Sequence, residues 1–377
     1  MVNIFLIYKS IDPMPNNSKP TDTSTQGESL VSITPSPAYR RIASEEAWAT
    51  PELIQHYVQI IETRSINDPG FYSLWGFFGT SQTPRARGLF ERIQDLGERR
   101  LSDMDATGID MQLLLLTSPG VQIFDPATGT ALATSTNDQL AEIIRGNPTR
   151  FAGLAAVAPQ APQAAARELE RSVQRLGLKG VVINSHTQGE YLDDEKFWDI
   201  FAAAEALDVP VYIHPNTPSP QMIEPFLSRC LDAAIYGFAA ETGLHALRLI
   251  VSGVFDRFPK LKVVLGHLGE GLPFWLHRID FMHAGIVRAN RSAGAQALRK
   301  KPSDYLRENF WYTTSGMPWE PAITFVQQQM GHDRVLYAMD YPYQFVAEEV
   351  TAMDKLPLSD VHKKLFFQTN AEALFKL

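Results

Sequence analysis

"VPVYIHPN", residues 209–216, decides how the rest of this chain is read. Val209, Val211 and Ile213 are β-branched and Tyr212 is aromatic, which suits a short buried strand. Pro215 ends the sheet ladder directly after His214, because proline brings no backbone N–H. The run therefore finishes on an imidazole one residue before the chain must leave the sheet. A single strand-end histidine has a structural reading, as a hydrogen-bonded residue, and becomes informative only if the pattern recurs.

It does recur. Working outward, short apolar or β-branched runs stand at "RRIASEEA", "MQLLLLTS", "FAGLAAVA", "LKGVVINS", "LKVVLGHLG", "FWYTTSG" and "RVLYAMDYP". Between them lie segments such as "PQAAARELERSVQRLG" and "DDEKFWDIFAAAEALD", with apolar residues at helical spacing and closure at Gly177 and Asp208. Eight strands alternating with helices predict a parallel sheet closed into a (β/α)8 TIM barrel over residues 40–377. An open doubly wound sheet would call for a glycine-rich turn after the first strand, and "SEEAWATPE" has none. The aromatic-rich stretch over residues 63–79, after the first strand, reads as an insertion over one end of the barrel, with a further reading as part of a subunit contact. Residues 9–39, rich in Pro, Ser, Thr and Asn, extend the expectation of a flexible N-terminal tail over residues 1–39.

Bulk properties narrow the class. The 377 residues are 45% hydrophobic and 20% charged, and the formal net charge of -8 argues against a nucleic-acid partner. Cys230 is the only cysteine, which rules out an intrachain disulfide and a cysteine zinc site. The first ten residues lack the basic start of a signal peptide, and no segment is long and apolar enough to span a bilayer. A cytoplasmic protein without a membrane partner is expected.

In such a barrel the active site sits at the C-terminal ends of the strands. Strand 1 is expected to end at Glu45 and Glu46, strand 4 at Asn184 with His186 just after, strand 5 at His214, strand 6 at His267 and strand 8 at Asp340. Each alone has a structural reading: either glutamate can cap the helix near Pro51, and His267 can bond a loop carbonyl. Carboxylates and imidazoles on separate strands at one end have the composition of a divalent-metal site. Mixed nitrogen and oxygen ligation suits zinc, manganese or iron without choosing among them.

"ASEEAWA", "YIHPNT", "GVFDRFPKLKVVLGHLGEGLPF", "TTSG", "YAMDYPYQ" and "QTNAEALFKL" carry a resemblance. From about Arg41 to Leu377 the chain resembles the amidohydrolase superfamily, in its branch of metal-dependent, non-oxidative aromatic acid decarboxylases. Members act on 2,3-dihydroxybenzoate, γ-resorcylate and 5-carboxyvanillate, and "LWGFFG", "LGERRLSDMDATGID" and "INSHTQGEYLD" are most similar to those acting on the last. The resemblance implies decarboxylation of a 5-carboxyvanillate-like ortho-hydroxybenzoic acid to a phenol and CO2. It implies one divalent ion per chain, manganese favoured and zinc the alternative, on Glu45, His214 and Asp340. Asp340 would protonate the ring carbon, helped by His267 and Glu270. Arg85 and Arg278 would bind carboxylate, Tyr343 would line the pocket, and the chain would form a homodimer or homotetramer. A hydrolase of an aromatic breakdown product is the alternative. The hydrolytic members carry His-x-His where this chain has Glu45 and Ala47, which speaks against it. His186 is expected to serve a turn, His245, His277, His283, His332 and His362 the packing of helices, and Asn370 to cap the last helix.

Overall fold

Hydrogen bonds between neighbouring runs close the expected barrel. The computed structural model describes residues 38–291 and 294–377, so the expected tail lies almost wholly outside the described residues. The strands are β1 (Ile42–Trp48), β2 (Met111–Leu116), β3 in two pieces (Phe151–Gly153 and Ala155–Ala156), β4 (Val181–Asn184), β5 (Val211–His214), β6 (Val263–Leu265), β7 (Phe310–Thr313) and β8 (Val335–Leu336). Each pairs in parallel with the next. At the break in β3, Leu154 N–H donates to Leu114 O (3.0 Å) and Ala155 N–H to Gly180 O (2.8 Å), which carries the ladder from β2 to β4. Ser44 N–H donates to Tyr337 O (2.9 Å) and Ala47 N–H to Tyr341 O (2.7 Å), joining β1 to the segment that leads out of β8. Strands buried on both faces read as continuous apolar runs, which is why the alternation of a half-exposed sheet is missing from them.

One expectation for β1 needs correction. Glu45 and Glu46 do not end the strand, which continues to Trp48. Between Ala43 and Glu46 the register against β2 slips by one residue, a bulge. In a regular strand adjacent side chains point to opposite faces; a bulge re-aims them. Both carboxylates end up buried, and the helix that follows is capped instead by Thr50, whose hydroxyl accepts from Leu53 N–H at 3.1 Å.

Four helices rather than one connect β1 to β2: α1 (Pro51–Thr63), α2 (Pro69–Thr80), α3 (Pro84–Gln94) and α4 (Glu98–Thr107). The first three begin alike, with Thr50, Asp68 or Thr83 as side-chain cap and proline at the first helical position. The aromatic-rich stretch is α2, and it does lie over the C-terminal end of the barrel. Trp75 Nε1–H donates to Ser118 O (2.9 Å) and the Phe78 ring stands 6.3 Å from that of Tyr343. Gly70 lies so close to Thr217 that any Cβ would strike its hydroxyl, so glycine is required for this approach.

Asn370 also departs from expectation. It follows Thr369 in unbroken helical backbone, and its side chain caps nothing. Instead Nδ2 donates to His332 O (2.7 Å) and Val335 O (2.8 Å), stapling the C-terminal helix Asn370–Phe375 to the start of β8. Asn370→Ala leaves two carbonyls short of a donor and is expected to lower stability by about 1–3 kcal/mol, measured by urea denaturation; a smaller loss would show that the staple is dispensable.

Candidate active site

The Glu45 side chain is 2% exposed inside the barrel, where an unpaired carboxylate is costly. Its Oε2 accepts from the Tyr212 hydroxyl and from Thr313 Oγ1 (2.6 Å). Its Oε1 is buried without a hydrogen-bond partner and faces His214 Nε2 at 3.6 Å. On the other ring nitrogen, His214 Nδ1–H donates to Pro215 O (3.0 Å), which leaves Nε2 unprotonated toward Glu45 in the neutral ring. Burial favours that neutral form, lowering the His214 pKa against the pull of Glu45. Gly266 makes room for this arrangement: a Cβ there would stand 2.8 and 2.9 Å from the two Glu45 oxygens.

His267 follows β6 in a run of left-handed backbone, with φ of 51, 57, 82, 55 and 78° from His267 to Gly271. One such turn places residues three apart side by side, and His267 Nδ1 meets Glu270 Oε1 at 2.9 Å. Burial disfavours the imidazolium, but the buried Glu270 carboxylate outweighs it and holds the His267 pKa up at about 10. The imidazole keeps 22% exposure toward the mouth. Asp340 also has left-handed backbone, φ 71°. Burial pushes its pKa up to about 8, with His267 opposing and Glu45 adding to the rise. A Cβ on Gly316 would stand 3.4 Å from His267 Cδ2 and 3.6 Å from Asp340 Oδ2, so the two groups flank one point.

Tyr343 lines the same end, its hydroxyl 2.5 Å from Thr117 Oγ1 after β2. Arg85 and Arg278 are not brought to the cluster. Arg85 is exposed in the first turn of α3, and Arg278 is exposed on the outer helix Leu272–Arg288. His186 serves a turn, as expected: Nε2–H donates to Thr217 O (3.1 Å) and Nδ1 accepts from Gly189 N–H (3.1 Å). His245 is wholly buried, bonded to Ser185 Oγ (3.2 Å) and accepting from Leu192 N–H (3.1 Å), and burial lowers its pKa to about 3. Sequence reasoning missed Tyr212 and Thr313. Tyr212 was within reach, because residues two apart on a strand share a face and His214 is two further on.

Among the described residues, no three His, Cys, Asp or Glu side chains converge closely enough to hold a cation as they stand. The donor chemistry nevertheless fits one. A buried, unpartnered carboxylate oxygen beside a neutral imidazole nitrogen, with Asp340 at the same end, offers mixed oxygen and nitrogen ligands of the kind a divalent ion takes. Positive charge there would also favour the ionised form of the buried acids.

Comparison with known proteins identifies the family. The family model described as amidohydrolase matches residues 85–377. The crystal structure of the 5-carboxyvanillate decarboxylase of Novosphingobium aromaticivorans, with manganese and 4-hydroxy-3-methoxy-5-nitrobenzoic acid, superposes with a TM-score of 0.89 at 53% identity, covering 90% of this chain and 97% of that one. The 5-carboxyvanillate decarboxylase of Sphingomonas paucimobilis gives 0.85 at 41% identity, covering 90% and 100%. The gamma-resorcylate decarboxylase of a Polaromonas species is 36% identical over 310 residues, 80% of this chain and 93% of its own length.

Two outcomes follow from this geometry. Gly266→Ala forces the Glu45 carboxylate aside and is expected to weaken Mn2+ binding roughly tenfold or more, read by titration calorimetry; unaltered affinity would show that Glu45 is not a ligand. The His245 pKa falls on folding, so its contribution to stability is whole above the ordinary histidine value of 6.5 and is lost as pH drops toward 3. His245→Gln is expected to flatten the decline of stability between neutral and mildly acidic pH, measured by denaturant titration.

Proposed function

The chain belongs to the amidohydrolase superfamily, in its metal-dependent decarboxylase branch, and from that premise we propose that its substrate is 5-carboxyvanillate or a closely similar ortho-hydroxybenzoic acid. It is a lyase, catalysing the non-oxidative decarboxylation of an aromatic hydroxy acid. The observation that carries the site reading is the gathering of Glu45, His214, His267 and Asp340, from four strands, at one end of the barrel.

Glu45, His214 and Asp340 would hold one divalent ion, manganese in preference to zinc. When bound, that ion supplies chelation for the phenolate and carboxylate oxygens of the acid and neutralises their charge. His267, kept protonated by Glu270, donates to the phenolic oxygen and fixes the ring. Asp340 gives its proton to the ring carbon that bears the carboxylate, which interrupts aromaticity. The carbon–carbon bond then breaks, its electron pair returns to the ring as CO2 departs, and the phenol is restored. Asp340 would be ionised while it holds the cation, so its role as the acid requires the incoming anionic substrate to raise its proton affinity and loosen its hold on the metal, a rise that burial assists. Tyr343 borders the ring, and α2 covers the mouth against water. Arg85 stands exposed on α3 outside the cluster, and its assignment to a second carboxylate rests on the resemblance alone.

The catalytic domain is the barrel of residues 40–377, in a homodimer or homotetramer. The helix Leu272–Arg288 supports this assembly, since Phe274 (75%), Trp275 (49%) and Phe281 (64%) stand exposed along it. Arg278 lies on the same helix, so its carboxylate-binding role depends on the assembly. The lone, exposed Cys230 and the absence of any apolar helix long enough to cross a membrane among the described residues support a cytoplasmic setting.

Asp340→Asn removes the proton donor and is expected to lower turnover by roughly a hundred- to ten-thousandfold while some manganese remains. His214→Ala is expected to lower metal occupancy. Metal analysis together with an absorbance and CO2-release assay over a panel of hydroxybenzoic acids tests both. Near-normal activity of either variant overturns the site, and loss of no carboxyl group from any acid overturns the substrate.

A further inference from the structure

Glu45 and Glu46 are neighbours in sequence, yet only Glu45 turns to the proposed ligand set. Glu46 is fully buried, and its two oxygens serve two backbone amides: Oε1 accepts from Met339 N–H (2.9 Å) and Oε2 from Tyr341 N–H (3.0 Å). Those amides flank a single residue, Asp340. In a regular ladder, carbonyls of β1 would take the amides of the last strand. Here β1 carries its bulge at this point and Asp340 has left-handed backbone, so carbonyl pairing is interrupted between the Ser44–Tyr337 and Ala47–Tyr341 hydrogen bonds. The Glu46 carboxylate stands in for the missing acceptors.

We infer that Glu46 is a positioning residue: its carboxylate clamps the peptides on both sides of Asp340 and thereby sets where the Asp340 side chain stands at the mouth. The inference rests on the role proposed above for Asp340. A left-handed aspartate is a disfavoured conformer that persists only where the surroundings impose it. Two hydrogen bonds from one rigid carboxylate, one to each side, supply that constraint, because neither peptide can turn without breaking one of them. Arg100 backs the clamp. It is wholly buried, its Nη2–H donates to Ala47 O (2.5 Å), and its guanidinium lies 4.5 Å from the centre of the Tyr341 ring. A buried cation thus rests against both the strand that carries Glu46 and the residue after Asp340. The task needs two acceptor oxygens at this reach. Glutamine would turn an N–H2 toward one of the two amides, and aspartate would be one methylene short.

Glu46→Gln, made in the full chain, tests this. Manganese binding to the metal-free variant is measured by calorimetry and turnover by steady-state kinetics. Expected are a Kd for Mn2+ weakened roughly tenfold or more and a kcat lowered to a similar extent, with KM within about threefold of the parent. A purely structural role would lower the melting temperature and leave the metal affinity of the folded protein in place. A Kd and a kcat both within about twofold of the parent overturn the inference. Should every variant at position 46 fail to fold, hydrogen exchange of the parent protein decides. The Met339 and Tyr341 amides are expected among the slowly exchanging set, and exchange as fast as in a free loop overturns it. Full activity in Asp340→Asn sinks the site reading itself, whereas an inactive Asp340→Asn beside an unaffected Glu46→Gln sinks only the inference made here.

Discussion

A carboxylate inside a barrel is the constraint around which this molecule is arranged. Glu45 cannot be hydrated, so each of its oxygens must find a partner in the protein or in something the protein binds. One oxygen has two hydroxyl donors, from Tyr212 on β5 and Thr313 on β7. The other has none and faces an imidazole nitrogen that is itself without a proton to give. An acid half satisfied in this way would destabilise an ordinary core. Under the proposed ligation the free oxygen is the one left for the cation, and the two hydroxyls keep the carboxylate aimed.

The same end of the barrel also collects disfavoured backbone. His267, Leu268, Glu270 and Asp340 are all left-handed without being glycine. Each such residue costs stability, and all four lie where strands hand over to loops. The cost is tolerated because the barrel determines the positions around them. The left-handed turn brings His267 onto Glu270, while the amides around Asp340 are held by a side chain from β1. Rigid strands thus let strained loops hold chemical groups in arrangements that relaxed loops would not adopt.

Charge completes the picture. Glu45, Glu270 and Asp340 crowd one mouth, against which the protein sets the imidazolium of His267. Left alone, that mouth would repel an anionic acid. A divalent cation held there, as proposed, would reverse the sign locally and favour entry of an anionic aromatic acid. Burial raises the pKa of Asp340, whereas it opposes the imidazolium of His267, whose pKa stands high only because the Glu270 carboxylate outweighs burial.

The eight apolar runs, the helices between them and the polar residues at the ends of the runs were legible in the sequence, because burial on both faces writes itself as composition and helical packing as period. His214, His267 and Asp340 could be placed at one end on that ground alone. The bulge in β1 could not, since it depends on how β1 registers against β2, and the different fates of Glu45 and Glu46 depend on it. Asn370 likewise has the local signature of a cap, but its partners are carbonyls of His332 and Val335, far away in the chain. Arg278 was a carboxylate binder by resemblance and a solvent-facing residue of an outer helix in space. Local sequence determined which segments become strands and which residues end them, because those choices rest on near neighbours. Only tertiary structure decided where each side chain points, because register, left-handed turns and shared hydrogen bonds are settled between segments that meet after the barrel has closed.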